Sequence, residues 1–150
     1  MGLLDQISIR KMENVFHAKT WGLNWGNEII NELKQVASQN KDHRARLCLH
    51  PSINDEHQEM LIVMNNLAIE KPQRRTIGFD TKLVLEGKAK LNFFDASAKF
   101  LRFINLGGSD FLYTHTNTDE FHALEIISEW FVFLEILKGP FTPETTEFLS

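Results

Sequence analysis

The hydrophobic period of this chain changes once, just before residue 44, and does not change back. Asn24 to Asn40 reads as one helix: Trp25, Ile29, Leu33, Val36 and Ala37 share a face, with Glu32, Lys34, Gln35 and Gln39 mostly elsewhere. Asn24 is placed to cap its N-terminus and Glu28 suits the first turn. After it the period is two. Arg44, Arg46, Cys48 and His50 alternate with Ala45, Leu47 and Leu49. Met60 to Met64 is a continuous apolar run, as in a strand covered on both faces. Lys82 to Asp95 has the form of a hairpin about Glu86-Gly87, with Leu83 and Leu85 before it and Ala89, Leu91 and Phe93 after it. Further strands fit Lys99 to Leu106, Phe111 to Asn117, Phe121 to Ile127 and Trp130 to Leu137, with turns at Gly107-Gly108 and Ser128-Glu129. One helix followed by short strands at this spacing predicts a mainly β sandwich or barrel. The prolines of Gly139-Pro140-Phe141-Thr142-Pro143 exclude regular structure there.

A chain of 150 residues is long enough for one domain with a real core. We expect residues 1–43 to form an N-terminal arm and helix packed on a barrel of residues 44–150, the last of these being a tail. A formal net charge of −4 lacks the basic footprint of a nucleic-acid binder. The single cysteine, Cys48, excludes an internal disulfide and fits a reducing compartment. No apolar run approaches a membrane span. The N-terminus has neither a signal-peptide pattern nor the Ser or Thr at position 6 of a myristoylation motif, so a cytoplasmic location is expected. Twelve Phe stand against one Tyr, and rings without a polar tip are expected mostly in the core.

The motif-like feature is Gln73-x-Arg75, followed by Asp80, Gly87 and, much later, His122. Residues two apart on a strand project to one face, so such a pattern brings side chains together inside a barrel. Three stretches carry a family resemblance. They are Arg44-Ala45-Arg46-Leu47-Cys48-Leu49-His50-Pro51 with Gln58; Lys71-Pro72-Gln73-Arg74-Arg75 through Leu83-Val84-Leu85-Glu86-Gly87; and Phe121-His122 with Val132-Phe133-Leu134-Glu135 and Gly139-Pro140-Phe141. Over about residues 44 to 143 the chain resembles the cupins, and within them the WbuC-type proteins associated with bacterial O-antigen polysaccharide genes. The resemblance implies a cupin-type antiparallel jelly-roll barrel, a role in surface-polysaccharide metabolism and a homodimer. It also implies a metal held by His, His, Glu and His, and here the chain departs from it. Gln73, Arg75 and Asp80 occupy the first three positions, and His122 alone is retained. A guanidinium has no lone pair for a metal and repels a cation, and an amide oxygen is a weak ligand. No cofactor is therefore expected; the alternative is a divalent transition metal on His122, Asp80 and Gln73.

Each candidate has a functional and a plain reading. Arg75 is either an anion hook in the barrel or the partner of Asp80 in an internal ion pair. Gln73 supports either arrangement. His122 is either an acid/base group beside a sugar or a polar barrel histidine, the latter being favoured. Arg44, Arg46 and His50 share a strand face and line the mouth of the pocket, or face water. Glu135 interrupts Phe131, Phe133 and Leu137; buried, it would need a partner and a raised pKa, but the favoured reading is a strand-end carboxylate reaching water or an arginine. His115 and Tyr113 are further candidates for the barrel interior. His17, His43 and His57 read as loop or helix-end residues, and Cys48 as a small buried residue. The function expected is a metal-poor cupin binding a small anionic or sugar-like ligand through Gln73, Arg75, Asp80, His50 and Arg46. The first alternative is a nucleotide-sugar isomerase or epimerase that uses His122 with His50, His115 or Tyr113. The second is a metalloprotein with a shifted ligand set that includes His122.

Overall fold

The computed structural model describes residues 2–150; Met1, the first residue of the expected arm, lies outside the described residues. The protein is a two-sheet β structure of the jelly-roll type, as the period-two pattern predicts. It opens with a one-turn helix α1 (Leu3–Ile7), two strands β1 (Ser8–Met12) and β2 (Val15–Ala18), and the main helix α2 (Asn27–Gln39). Ten strands follow: β3 (Arg44–Cys48), β4 (His57–Asn65), β5 (Gln73–Arg75), β6 (Asp80–Glu86), β7 (Ala89–Phe94), β8 (Phe100–Leu106), β9 (Tyr113–Thr116), β10 (Phe121–Ile126), β11 (Trp130–Lys138) and β12 (Thr146–Phe148). The larger sheet runs β1-β2-β3-β4-β11-β6-β9 and the smaller β12-β5-β10-β7-β8. All pairings are antiparallel except β2 with β3, which are parallel and extend the larger sheet with the N-terminal arm.

Alternation decides which core each residue joins. On β3, Ala45 and Leu47 turn outward; on β4, Leu61 and Val63 do the same. They meet Ile29, Ile30, Leu33 and Ala37 of α2, all buried. The intervening Cys48, Met60, Ile62 and Met64 turn inward and join Leu91, Phe93, Leu124, Phe131 and Phe133 between the sheets. This is why the run from Met60 to Met64 is apolar throughout: both its faces are covered. Leu33 has no exposed surface, which corresponds to about 2 kcal/mol of apolar burial.

Several expectations need correction. The helix begins at Asn27 with Gly26 at its N-cap, so Asn24 does not cap it. Residues 82–95 do not form a hairpin ladder: β6 lies in the larger sheet and β7 in the smaller, and Gly87 makes the corner between them. Its φ of +85°, and a hypothetical Cβ 2.0 Å from the Trp130 carbonyl oxygen, require glycine. Leu83 and Leu85 are outward and 40% and 42% exposed, while Lys82 points in. Only five of the twelve phenylalanines are buried: Phe16, Phe93, Phe121, Phe131 and Phe133. Phe100, Phe103 and Phe111 are among the exposed ones: β8 is the edge strand of the smaller sheet and β9 that of the larger, while α2 packs on β3 and β4. Beyond the prolines the tail regains structure, and β12 pairs with β5.

Candidate functional site

A cavity of about 860 Å³ lies between the sheets and opens to the surface. It brings together every ligand-binding and catalytic candidate of the sequence: Arg46 and His50 from β3 and its extension, Gln73 and Arg75 on β5, Asp80 on β6 and His122 on β10. Gln73 stands opposite His122 in the β5–β10 ladder. His115 and Tyr113 are on the outer surface, where His115 stacks on Phe79 at a centroid distance of 4.7 Å. They take no part in the site.

The floor is a buried charge cluster. Lys82 Nζ donates to Asp80 Oδ1 at 2.7 Å and lies 3.1 Å from Glu135 Oε2. His122 Nε2 is 2.8 Å from Asp80 Oδ2, and its Nδ1 is 3.4 Å from the Glu120 carbonyl oxygen. Both ring nitrogens therefore face acceptors within the protein. Burial alone would raise the Asp80 pKa, but the Lys82 ammonium and His122 outweigh it and hold Asp80 below the usual carboxylate range. Burial also opposes charge on Lys82, and Asp80 and Glu135 overcome it and keep it protonated. Glu135 loses this contest. Burial, then the negative Asp80, push its pKa up to about 7. The favoured expectation for Glu135, water or an arginine, is thus replaced by a buried lysine. Its neighbours on β11 supply an apolar wall, and the inward face of β6 supplies the cation.

Arg75 is not the partner of Asp80. Its Nη2 donates to the Lys138 carbonyl at 2.6 Å, and its Nη1 to Thr145 and Thr146 hydroxyls at 3.3 and 3.2 Å. The tail strand thus anchors this guanidinium at the cavity wall, while burial lowers its pKa. Arg46 differs. Among the described residues it has no carboxylate partner, and its one side-chain hydrogen bond is to the Met60 sulfur at 3.8 Å. Arg44 is turned aside, toward Glu70 at 3.8 Å and the Ile69 carbonyl.

Sequence reasoning missed two residues here. Lys82 was legible in principle: on a strand it shares a face with Asp80, so an inward Asp80 implies an inward Lys82. His17 is no loop residue. It sits on β2 directly beside Cys48 of β3, 8% exposed, in the cavity wall. Its strand is only four residues long, too short for a periodic signal.

The cupin resemblance raises the question of a metal at the Gln73–Arg75–Asp80–His122 positions. These residues do not fit one. The Lys82 ammonium already contacts both Asp80 and Glu135, Arg75 adds a second fixed cation, and both nitrogens of His122 are engaged.

Comparison with known structures supports the class. The fold is similar to cupin-fold proteins: CapF, solved with the inhibitor 3-isopropenyl-tropolone (16% identity, TM-score 0.61, 74% of this chain and 33% of that one), and the oxalate decarboxylase of Lactobacillus farciminis in its formate complex (15% identity, TM-score 0.56, 73% and 32%). It is also similar to protein SO0799 of Shewanella oneidensis (8% identity, TM-score 0.55, 65% and 64%). The chain spans about a third of the first two proteins and under two thirds of the last. No curated protein matches its sequence. Within the cupin fold, the chain belongs to the family described as Domain of unknown function (DUF6016), matched over residues 26–106.

Proposed function

We propose that this protein binds a small anionic, sugar-like ligand in its barrel cavity, in bacterial surface-polysaccharide metabolism. The observation that carries the ligand class is Arg46, a half-buried guanidinium that lines the cavity and, among the described residues, forms no ion pair with an acid. A charge in that setting gains most from a carboxylate or phosphate in bidentate contact. Gln73 and His50 line the same cavity and supply polar contacts for hydroxyl groups. A volume of about 860 Å³ suits a ligand as large as a nucleotide-linked sugar. The metabolic setting rests on the WbuC resemblance alone. We also propose a homodimer, supported by Phe100, Leu101, Phe103, Phe111 and Leu112, each at least 45% exposed on the β8–β9 side.

The test is a thermal-shift panel of sugar phosphates, nucleotide-diphosphate sugars and sugar carboxylates on the wild type and on Arg46→Gln. A stabilising anion whose effect vanishes in Arg46→Gln supports the reading. A panel that leaves the wild-type melting point unchanged, or stabilises both proteins equally, overturns it. The 2.8 Å Asp80–His122 contact beneath the cavity favours a second reading, a sugar isomerase or epimerase. Exchange of a sugar C–H with D2O in the presence of the protein would establish that activity, and its absence with a bound sugar would leave binding alone.

A further inference from the structure

We propose that His17, Cys48 and His50 form a second site, for a borderline-soft metal ion of the zinc class, on the wall of the cavity away from the cupin metal positions. One ligand atom from each of the three lies within 4.8 Å of the others. Bonds of about 2.0–2.3 Å at tetrahedral angles need ligand atoms roughly 3.4–3.7 Å apart, so closure requires a shift of about an ångström. The supports for such a shift are present. His17 and Cys48 are a register pair in the parallel β2–β3 ladder, so the backbone presents them side by side. The two imidazoles meet edge to face at 5.4 Å and 88°.

The hydrogen bonds engage Nδ1 of each ring with the backbone. His17 Nδ1 is 3.2 Å from the His50 carbonyl oxygen, and an Nδ1–H donated there leaves Nε2 with a lone pair. His50 Nδ1 lies 3.1 Å from both the Glu59 carbonyl oxygen and the Glu59 N–H, so either tautomer of His50 finds a backbone partner. A backbone carbonyl holding the far nitrogen is the usual outer support of a metal-binding histidine.

Two imidazoles and one thiolate select zinc or a chemically similar ion over magnesium or calcium. Three protein ligands leave a fourth position, and all three line the cavity, so that position opens toward a ligand. Arg46 lies close enough to influence His17 and Cys48. Its charge opposes that of the ion, but the thiolate removes one unit of it, and an anion bound at the fourth position would face both cations. This site stands on its own donors and does not require that Arg46 bind an anion.

The experiment is titration of tag-free, metal-stripped protein with Co2+, followed by displacement with Zn2+. Expected are one Co2+ per chain, a thiolate-to-cobalt charge-transfer band in the near ultraviolet, and loss of the band on adding Zn2+. Cys48→Ser should abolish the band, and His17→Gln and His50→Gln should each weaken Co2+ binding tenfold or more. Glu135→Gln, in the floor cluster, should leave the band in place. Melting of each metal-free variant shows that it is folded; should Cys48→Ser fail to fold, the two histidine variants decide. A folded wild type without the band at saturating Co2+ overturns the proposal. So does a band whose affinity is unchanged in both histidine variants, since that is a thiol acting alone. Loss of the band in Glu135→Gln would move the ion to the floor and overturn it too.

Discussion

The two polar clusters of the cavity share a wall of apolar side chains but differ in how their charges are met. On the floor, one ammonium, Lys82, bridges Asp80 and Glu135, and His122 is held at both nitrogens. Farther along the same sheet, on β2, β3 and the extension of β3, Arg46 has no acid partner among the described residues, and His17, Cys48 and His50 stand together as neutral donors. Burial lowers the pKa of both histidines and pushes the Cys48 thiol up to about 11, so this wall carries little charge besides Arg46. A cluster that satisfies itself contributes to the integrity of the barrel and has little left to offer a ligand. A cluster that does not is where a ligand gains most. The proposed anion site therefore rests on the unmatched charge of Arg46 and not on position in the cupin frame.

The largest expected effect is on the floor. Lys82→Met removes the ammonium in contact with both Asp80 and Glu135 and should cost about 3–5 kcal/mol of stability, read from urea denaturation. A loss below about 1 kcal/mol would mean that water, and not Lys82, compensates those acids. Next is the pH dependence. Glu135 has a folded pKa raised from 4.5 to about 7, so its contribution is fully present below pH 4.5 and is lost as the pH rises through 7. At about 1.4 kcal/mol per pH unit the span is at most roughly 3.5 kcal/mol. Asp80 acts in the opposite sense, its contribution being lost as the pH falls below its ordinary 3.8. Glu135→Gln should flatten the decline between pH 4.5 and 7; an unaltered slope would assign that proton to another group.

In the β2–β3 cluster the stability effects should be small and the binding effects large. Arg46→Gln should change folding stability by no more than about 0.5 kcal/mol, since it breaks no ion pair. It should weaken a bound anion at least tenfold by calorimetry, and a stability loss above 2 kcal/mol would place Arg46 with the floor as a structural residue. The smallest effect is expected outside the cavity. Phe103→Ser, at a position 45% exposed, should leave the melting point within a degree or two while shifting sedimentation toward monomer. A wild type already monomeric at tens of micromolar would remove the proposed homodimer.

Much of this protein was legible in its sequence, for reasons that can be traced to particular residues. Alternation is a property of the backbone, so Ala45 and Leu47 were assigned to one face of β3 and Arg44, Arg46 and Cys48 to the other without knowledge of any partner. The helical stripe of α2 and the double covering of Met60 to Met64 follow from the same local geometry. The periods gave a sandwich or barrel, and the resemblance of the three stretches implied its cupin type.

Tertiary structure decided what local pattern cannot hold. Period two divides β6 into two sets but does not say which set faces in; packing chose Asp80, Lys82 and Val84, because the buried ammonium finds two carboxylates there and Leu83 and Leu85 tolerate the surface. The meeting of Arg75 with Thr145 and Thr146, about 70 residues away, depends on the return of β12 to β5. The meeting of His17 with Cys48 and His50 depends on a parallel pairing between an N-terminal strand and the barrel. Charge compensation and ligand grouping are set by distances in space between residues far apart in the chain. The sequence by itself therefore determined the barrel, and only the tertiary structure decided which of its polar residues satisfy one another and which remain free to bind.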